Sequence, residues 1–300
     1  MKRRIEKMER KVAAASATGM SQAGLIWFRF KKNKLAVFGL VVLAFIFLVC
    51  FTSPFYIDYQ KVIQQNTSRQ HLSPGVDGYI FGTDMYGRDL FARIIWGGMV
   101  SLSCGFGVLF IALILALLFG SLSGYFGGKV EFFIMRLVDI MMCVPYLLLA
   151  MALIMAMGQS TLSLLLSIGV AMFPGLCRLV RASIMTVRDC EYVDAAKCYG
   201  SPTWKILIKH IIPNGIGPVV ISATLMLGNI ILSIAGFGFL GIGVLPPTPE
   251  WGTILSEGRD FIRYYPYLGV IPGVAIGISV LCINFVGDGL RDALDPKTKK

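Results

Sequence analysis

Two histidines, seven cysteines and 17 carboxylates are the groups through which this 300-residue chain could do acid–base, nucleophilic or metal chemistry. Their spacing assembles none of these. His71 and His210 have no plausible catalytic partner in the sequence. Cys50, Cys104, Cys143, Cys177 and Cys282 fall within or at the ends of apolar stretches, and Cys190 and Cys198 lie in a polar insert. None sits in a predicted external loop, so no disulfide framework is expected. Cys190 and Cys198 lack zinc-site spacing to His210, and the thiols read as small buried or reduced side chains. The stretch "GYFGGKV" lacks the first glycine and the hydroxyl residue of a phosphate-binding loop. The chain is therefore expected to bind no cofactor and to catalyse no reaction. Any nucleotide energy it uses must be bound by another chain.

The polar residues that remain fall in three places. Residues 191–214, "EYVDAAKCYGSPTWKILIKHIIPN", carry helix-like spacing and a sharp break. Glu191 and Asp194 sit where a first helical turn would be, favoured by the positive end of its dipole. Tyr192, Ala195, Ala196 and Tyr199 follow an i, i+3, i+4, i+7 pattern and predict one apolar face with a small centre. Gly200 suits the position just past a helix end. Ser201 suits the N-cap of a second helix and Pro202 its first position. Trp204, Leu207, Ile208 and Ile211 predict a second apolar stripe that ends at Pro213. The alanine face fits a groove on another protein equally well as packing against this chain's own helices.

The second place is external. "GTDMYGRD" puts Asp84, Arg88 and Asp89 in a compact turn, and "GFGFLGIGVLPPTPEWG" closes a helix with Pro246, Pro247 and Pro249 before Glu250 and Trp251. Both stretches are expected on the external face, where a docking partner would meet them. A self-contained loop held by its own ion pairs explains the first equally well. The third place is the edge of the apolar segments. Asp139 follows Arg136 by three residues and Arg291 follows Asp288 by three, spacings that allow pairing on one helix face. Both pairs read as interfacial structure. Pro145 and the four-residue series Gly120, Gly124, Gly128 read as helix-packing positions. Ion-driven carriers place carboxylates near mid-membrane; here the middles of the spans read as uncharged.

The elements that must hold these residues are unusually apolar. Of the residues, 56% are hydrophobic and 15% charged, and the mean hydropathy is +0.72, against about 25% charged in soluble domains. Charge-free windows predict six membrane helices, at about 35–56, 98–124, 137–157, 161–180, 214–240 and 265–287. Of the 28 lysines and arginines, 22 fall in 1–34, 125–136, 178–213 and 291–300, and six in 56–97 and 241–265. That bias places both termini in the cytoplasm. It also removes the reading of the +11 charge as a nucleic-acid footprint. Four regions follow: a cytoplasmic tail over 1–34 with an amphipathic segment near "LIWFRFKKNK", a first span and external loop over 35–97, a five-helix core over 98–290 containing the cytoplasmic segment 181–213, and a cytoplasmic tail over 291–300. The N-terminus does not read as a cleaved signal, because its small-residue run precedes the apolar segment.

"DAAKCYG" followed by Pro213 resembles the cytoplasmic signature of bacterial ABC-importer permeases, with Asp194 in the place of a glutamate and His210 where isoleucine is common. "FGTDMYGRDLFARIIWGGMVSL", "GYFGGKVEFFIMRLVDIMMCVP", "GFLGIGVLPPTPEWGTIL" and "GDGLRDALDP" are similar, in order and spacing, to the C-type permeases of the dipeptide/oligopeptide/nickel family. The resemblance implies an all-α type I importer permease with six transmembrane helices in the bacterial cytoplasmic membrane. It implies a heterodimer with a B-type permease, two cytoplasmic ATPases that bind ATP and magnesium, and an extracytoplasmic binding protein. In that setting Asp194–Pro213 would carry the helix that sits in an ATPase groove. The cargo implied is a peptide first, with nickel or other metal chelates, glutathione and opines as alternatives. A stand-alone ion-coupled carrier and a membrane scaffold that recruits a partner are the competing classes.

Overall fold

The structure, a computed structural model, describes residues 22–294. Parts of both predicted tails, 1–21 and 295–300, lie outside the described residues. Helix α1 (Gln22–Phe30) precedes α2 (Lys34–Phe51), whose first turn is capped by the Asn33 side chain accepting from the Ala36 amide. A long loop leads to α3 (Leu90–Phe126), followed by α4 (Gly128–Met142) and α5 (Tyr146–Met157). Then come α6 (Thr161–Arg188), the short α7 (Glu191–Cys198), α8 (Gly217–Phe239), the short α9 (Trp251–Gly258) and α10 (Tyr267–Leu294). Helices α2, α3, α6, α8 and α10 are each long and apolar enough to cross a membrane.

The predicted third span, 137–157, is not one helix. Helices α4 and α5 meet at 93° across Cys143–Val144–Pro145. Pro145 has no amide hydrogen to continue the α4 ladder, and its ring disfavours helical backbone at Val144. Counted as one broken span, the bent pair gives a sixth candidate crossing by length and composition. Helix α3 begins eight residues earlier than expected. Asp89 caps it, accepting from the Phe91 and Ala92 amides, and Arg93 is buried inside the structure rather than marking a loop. With 37 residues it runs for about 55 Å, well beyond a hydrocarbon core of about 30 Å.

Helices in lipid gain little from hiding apolar surface against one another, so close backbone approach matters more. Along the α3–α6 seam a Cβ at Gly120 would lie 2.8 Å from the Cys177 carbonyl, and one at Gly124 would lie 2.8 Å from the Arg181 carbonyl. Gly128 does not extend this seam. Its φ is +53° and nothing stands within 4 Å of its missing side chain; with Gly127 it makes the turn into α4. Ala112, Ala116, Leu176, Val180 and Ile184 fill the seam.

The two ends of the bundle differ. At the outer end the long loop packs on the loops around α9, and the Tyr267 hydroxyl reaches the Leu72 and Thr83 carbonyls at 2.9 and 3.0 Å. At the other end α1 packs on the end of α10, with Phe30 buried beside Ala36 and Ala293. The Asp288–Arg291 pair expected from spacing does not form; both side chains are exposed. It is Asp292 that is engaged, accepting from Asn33 Nδ2 at 3.2 Å.

Candidate functional site: a helical corner and a buried charge cluster at opposite ends

The polar insert folds as a helix, a corner and a second helical segment. Helix α7 has Glu191 and Asp194 in its first turn, and Lys197 pairs with Asp194 at 2.8 Å. It ends in a Schellman turn: the Ser201 amide donates to the Ala196 carbonyl and the Gly200 amide to the Lys197 carbonyl. Gly200 has φ +70°, the left-handed backbone that any other residue adopts at a cost. Nothing within 4 Å opposes a side chain there, so its role is conformational rather than one of close contact within this chain. Ser201 is not the next N-cap. Pro202 takes that place before Thr203–Ile206, and no side chain caps that helix.

The backbone then widens into a π-turn over Leu207–Ile211, with the Ile212 amide donating to the Leu207 carbonyl. Pro213 explains this. It cannot donate to the Lys209 carbonyl, and its ring would collide with that oxygen in a regular helix. The Asn214 side chain donates instead to the His210 carbonyl at 2.6 Å.

The predicted faces are redistributed. Ala196 does not join the outward face: it is buried with Val193, Ile206, Leu207 and Ile211 in the same cluster as Val180 and Ile184. The second stripe also splits. Leu207 and Ile211 point inward, while Trp204 is 63% and Ile208 59% exposed. Outward stand Tyr192, Ala195 and Tyr199, the last 90% exposed, and then Trp204 and Ile208. The corner is thus anchored on one side and presents an aromatic and aliphatic surface on the other. Arg181 pairs with Glu131, and Arg188 donates to the Gly124 carbonyl at 2.9 Å, so the end of α6 that carries the corner is tied to α3 and α4.

At the outer end the "GTDMYGRD" turn is closed. Asp84 accepts from the Tyr86 and Arg88 amides, at 2.8 and 3.0 Å. Gly87 (φ +70°) lies so near the Asn66 carbonyl that a Cβ would come within 1.9 Å of its oxygen. Arg88 reaches Asp84 and Glu257 at 2.6 Å each, and Arg93 reaches Glu257 at 3.0 Å and Asp84 at 3.5 Å. Two cations and two carboxylates therefore form one buried group of zero net charge. Arg88 and Asp84 are each 4% exposed, so Arg88 is no surface determinant for docking: it is a structural charge, and Asp89 is a helix cap. Burial pushes the Glu257 carboxyl up from its usual range, against the opposing pull of Arg93 and Arg88.

Pro246 and Pro247 are exposed, but Pro249 is buried. Glu250 and Trp251 are also interior, contrary to the docking expectation. Glu250 caps α9 by accepting from the Thr253 amide, and it accepts from Ser101 Oγ at 2.8 Å. Trp251 Nε1 donates to the Ile94 carbonyl at 2.8 Å. They bolt α9 across the face of α3. Complete burial pushes the Glu250 carboxyl up, opposed by its hydrogen bonds.

Asp139 does not pair with Arg136. Its partner is Arg178 of α6 at 2.5 Å, and Arg136 stacks its guanidinium over Phe132. Spacing in the sequence does not single out Arg178, Arg93 or Glu257. Arg178 had a readable signal, a charge inside the predicted span 161–180; the other two meet across 164 residues of chain and had none.

The described residues thus form a bundle of candidate membrane-crossing helices with an aromatic and aliphatic corner exposed at one end. Solved structures agree on the fold. A methionine ABC transporter captured in inward-facing conformations superposes with a TM-score of 0.55 at 19% identity, over 68% of this chain and 96% of that one. An amino acid ABC transporter gives a TM-score of 0.52 at 13% identity, over 66% and 92%.

The chain belongs to the family of binding-protein-dependent transport system inner membrane components, which matches residues 116–300; the N-terminal TM domain of oligopeptide transport permease C matches residues 21–74. A dipeptide transport system permease of Alkalihalophilus pseudofirmus is 40% identical over 90% of this chain and 88% of its own. A di/tripeptide transport system permease of Pseudomonas aeruginosa is 39% identical over 91% of each, and an oligopeptide transport system permease of Haemophilus influenzae 36% identical over 90% and 87%.

Proposed function

We propose that this chain is one permease of a two-permease pathway that imports di- and oligopeptides across a bacterial cytoplasmic membrane. Two partner ATPases bind ATP and magnesium, and an external binding protein delivers the peptide. One observation carries the coupling role: Tyr192, Ala195, Tyr199, Trp204 and Ile208 are exposed on a corner whose other side is rooted in the bundle core. Exposed aromatics on a rigid base suit a desolvated protein contact. A corner fixed to α6 and continuing through Pro213 towards α8 passes a rigid-body displacement to both helices. The peptide cargo is supported by the names of the relatives. Glutathione, a modified tripeptide, is the second reading, favoured by a 33% identical glutathione transport permease of Pectobacterium atrosepticum.

The test is uptake of labelled dipeptide by vesicles holding the two permeases, the ATPases and the binding protein. Accumulation should require ATP, survive collapse of ion gradients, and be competed by other dipeptides more strongly than by glutathione. Accumulation driven by an ion gradient without ATP would refute the proposal.

A further inference from the structure

Helix α1 is short, and its place is fixed by α10. A Cβ at Gly289 would lie 2.2 Å from Ala36 Cβ and 3.1 Å from the Phe30 ring, so only glycine admits α1 and the start of α2 this close. Arg29 also donates to the Ala293 carbonyl at 3.5 Å. Beside this contact lies an open groove of about 310 Å³, lined by Ile26, Trp27, Phe30, Leu40 and Leu290, with no polar side chain among them. Trp27, its outer wall, is 49% exposed.

Helix α2 fixes the depth of the groove. Its 18 residues make a candidate crossing of about 27 Å, no more than a hydrocarbon core of about 30 Å. Lys34 at its start therefore lies at the membrane surface, and Leu40 about 9 Å further in. The surface edge is basic. Residues 22–34 hold Arg29, Lys31, Lys32 and Lys34 and no carboxylate. Counting Asp288, Arg291 and Asp292 at the end of α10, the edge carries a net charge of +3. The Asp292 carboxylate is turned to Asn33 Nδ2 at 3.2 Å. Lys31 Nζ stands 5.0 Å from the centre of the Trp27 ring, which puts a cation at the rim of the groove. The lysine and arginine bias places this edge on the cytoplasmic side, where the leaflet is anionic.

We propose that the groove is a site for one anionic phospholipid of the cytoplasmic leaflet, with an acyl chain along Ile26, Phe30, Leu40 and Leu290 and its phosphate at Lys31. The two halves of the site match the two halves of that ligand. An apolar helix face at the membrane boundary takes hydrocarbon, and lysines beside it take negative charge. A zwitterionic lipid offers the same chain, but its own cation offsets the phosphate, so the basic rim selects the anionic one.

The test uses the complete transporter in vesicles of phosphatidylcholine and phosphatidylglycerol, with one or the other labelled. A photo-reactive phenylalanine derivative in place of Trp27 should capture phosphatidylglycerol more than about fivefold in preference to phosphatidylcholine, at equal amounts of each. The same group in place of Phe45, exposed on α2, should capture both alike. Lys31→Gln should lower the preference at position 27 by about fivefold, the effect of one basic residue near a charged leaflet. Leu290→Phe fills the groove and keeps every cation, so it should cut capture of both lipids at position 27. Equal capture of the two lipids at position 27 overturns the proposal. So does a preference unchanged by Lys31→Gln, capture undiminished by Leu290→Phe, or capture of another protein chain there in place of lipid.

Discussion

The two ends of the molecule invert the usual placement of polar and apolar groups. At the outer end four charges lie inside, with Arg88, Asp84 and Arg93 all at 4% exposure or less. At the corner, Tyr199, Trp204 and Ile208 lie outside, each more than half exposed. The outer end is complete: its charges balance one another within one chain. The corner leaves these side chains uncovered within its own chain, and the proposed ATPase contact would cover them. Substitutions at the outer end should therefore be read in folding, and substitutions at the corner in coupling.

The largest break in that contrast comes from Arg88→Glu. It places a third carboxylate beside Asp84 and Glu257 and leaves Arg93 as the only cation. Breaking a buried pair costs roughly 3–5 kcal/mol, and a reversal costs at least that. The expected outcome is loss of folded protein, measured as the yield of monodisperse permease and its thermal midpoint in detergent. Normal yield with impaired delivery by the binding protein would make the outer turn a docking site after all.

A substitution of opposite character follows. Ala195→Trp adds bulk at a position exposed in this chain. Stability should stay within about 0.5 kcal/mol, while transport falls by about tenfold or more because one hot-spot contact is worth at least about 1.4 kcal/mol. Uptake and ATP hydrolysis in the same vesicles check this, and hydrolysis should persist without transport. Gly200→Val should join both effects, since a branched residue in left-handed backbone costs about 1–2 kcal/mol in the corner itself.

What could be read in the chain follows from how local each signal is. The Gly200 turn and the acids that open α7 are decided within a few residues, and the sequence places them correctly; Pro213 does not end its helical segment, which passes through a π-turn and runs on to Gly215. Which side of α7 faces out is not local. Val193 and Ala196 are as apolar as Tyr192 and Ala195, and only the position of α6 chooses between them. The α4–α5 bend had a local sign in Pro145, but an apolar window hides it because both halves are equally apolar. The ion pairs show the limit most clearly. Three-residue spacing suggested Arg136 for Asp139, but a tertiary partner on α6 was available, and Arg136 found an aromatic ring instead. The Arg93–Glu257 contact depends on α9 folding back over α3, which no spacing encodes.

The finest test of the completeness of the outer end is Glu250→Gln, the smallest effect expected here. Gln keeps the volume and one acceptor for the Thr253 amide, so the change should cost less than about 1.5 kcal/mol at any pH. Its sign should depend on pH. Burial raises the folded carboxyl above its ordinary value of 4.5, so the folded state favours the protonated form. That contribution is fully present below 4.5 and is lost as pH rises through the raised folded value. The unaltered protein should therefore lose thermal stability relative to Glu250→Gln as the pH is raised from about 4 to 8, with the difference levelling off once Glu250 is ionised. Paired thermal midpoints in detergent across that range measure it directly. A carboxylate made comfortable by Ser101 and the α9 amides would give the opposite slope, the parent gaining on the variant as the pH rises. The outer end would then hold its buried charges as charges, and Glu250 would belong with Asp84 and Glu257 rather than with Trp251.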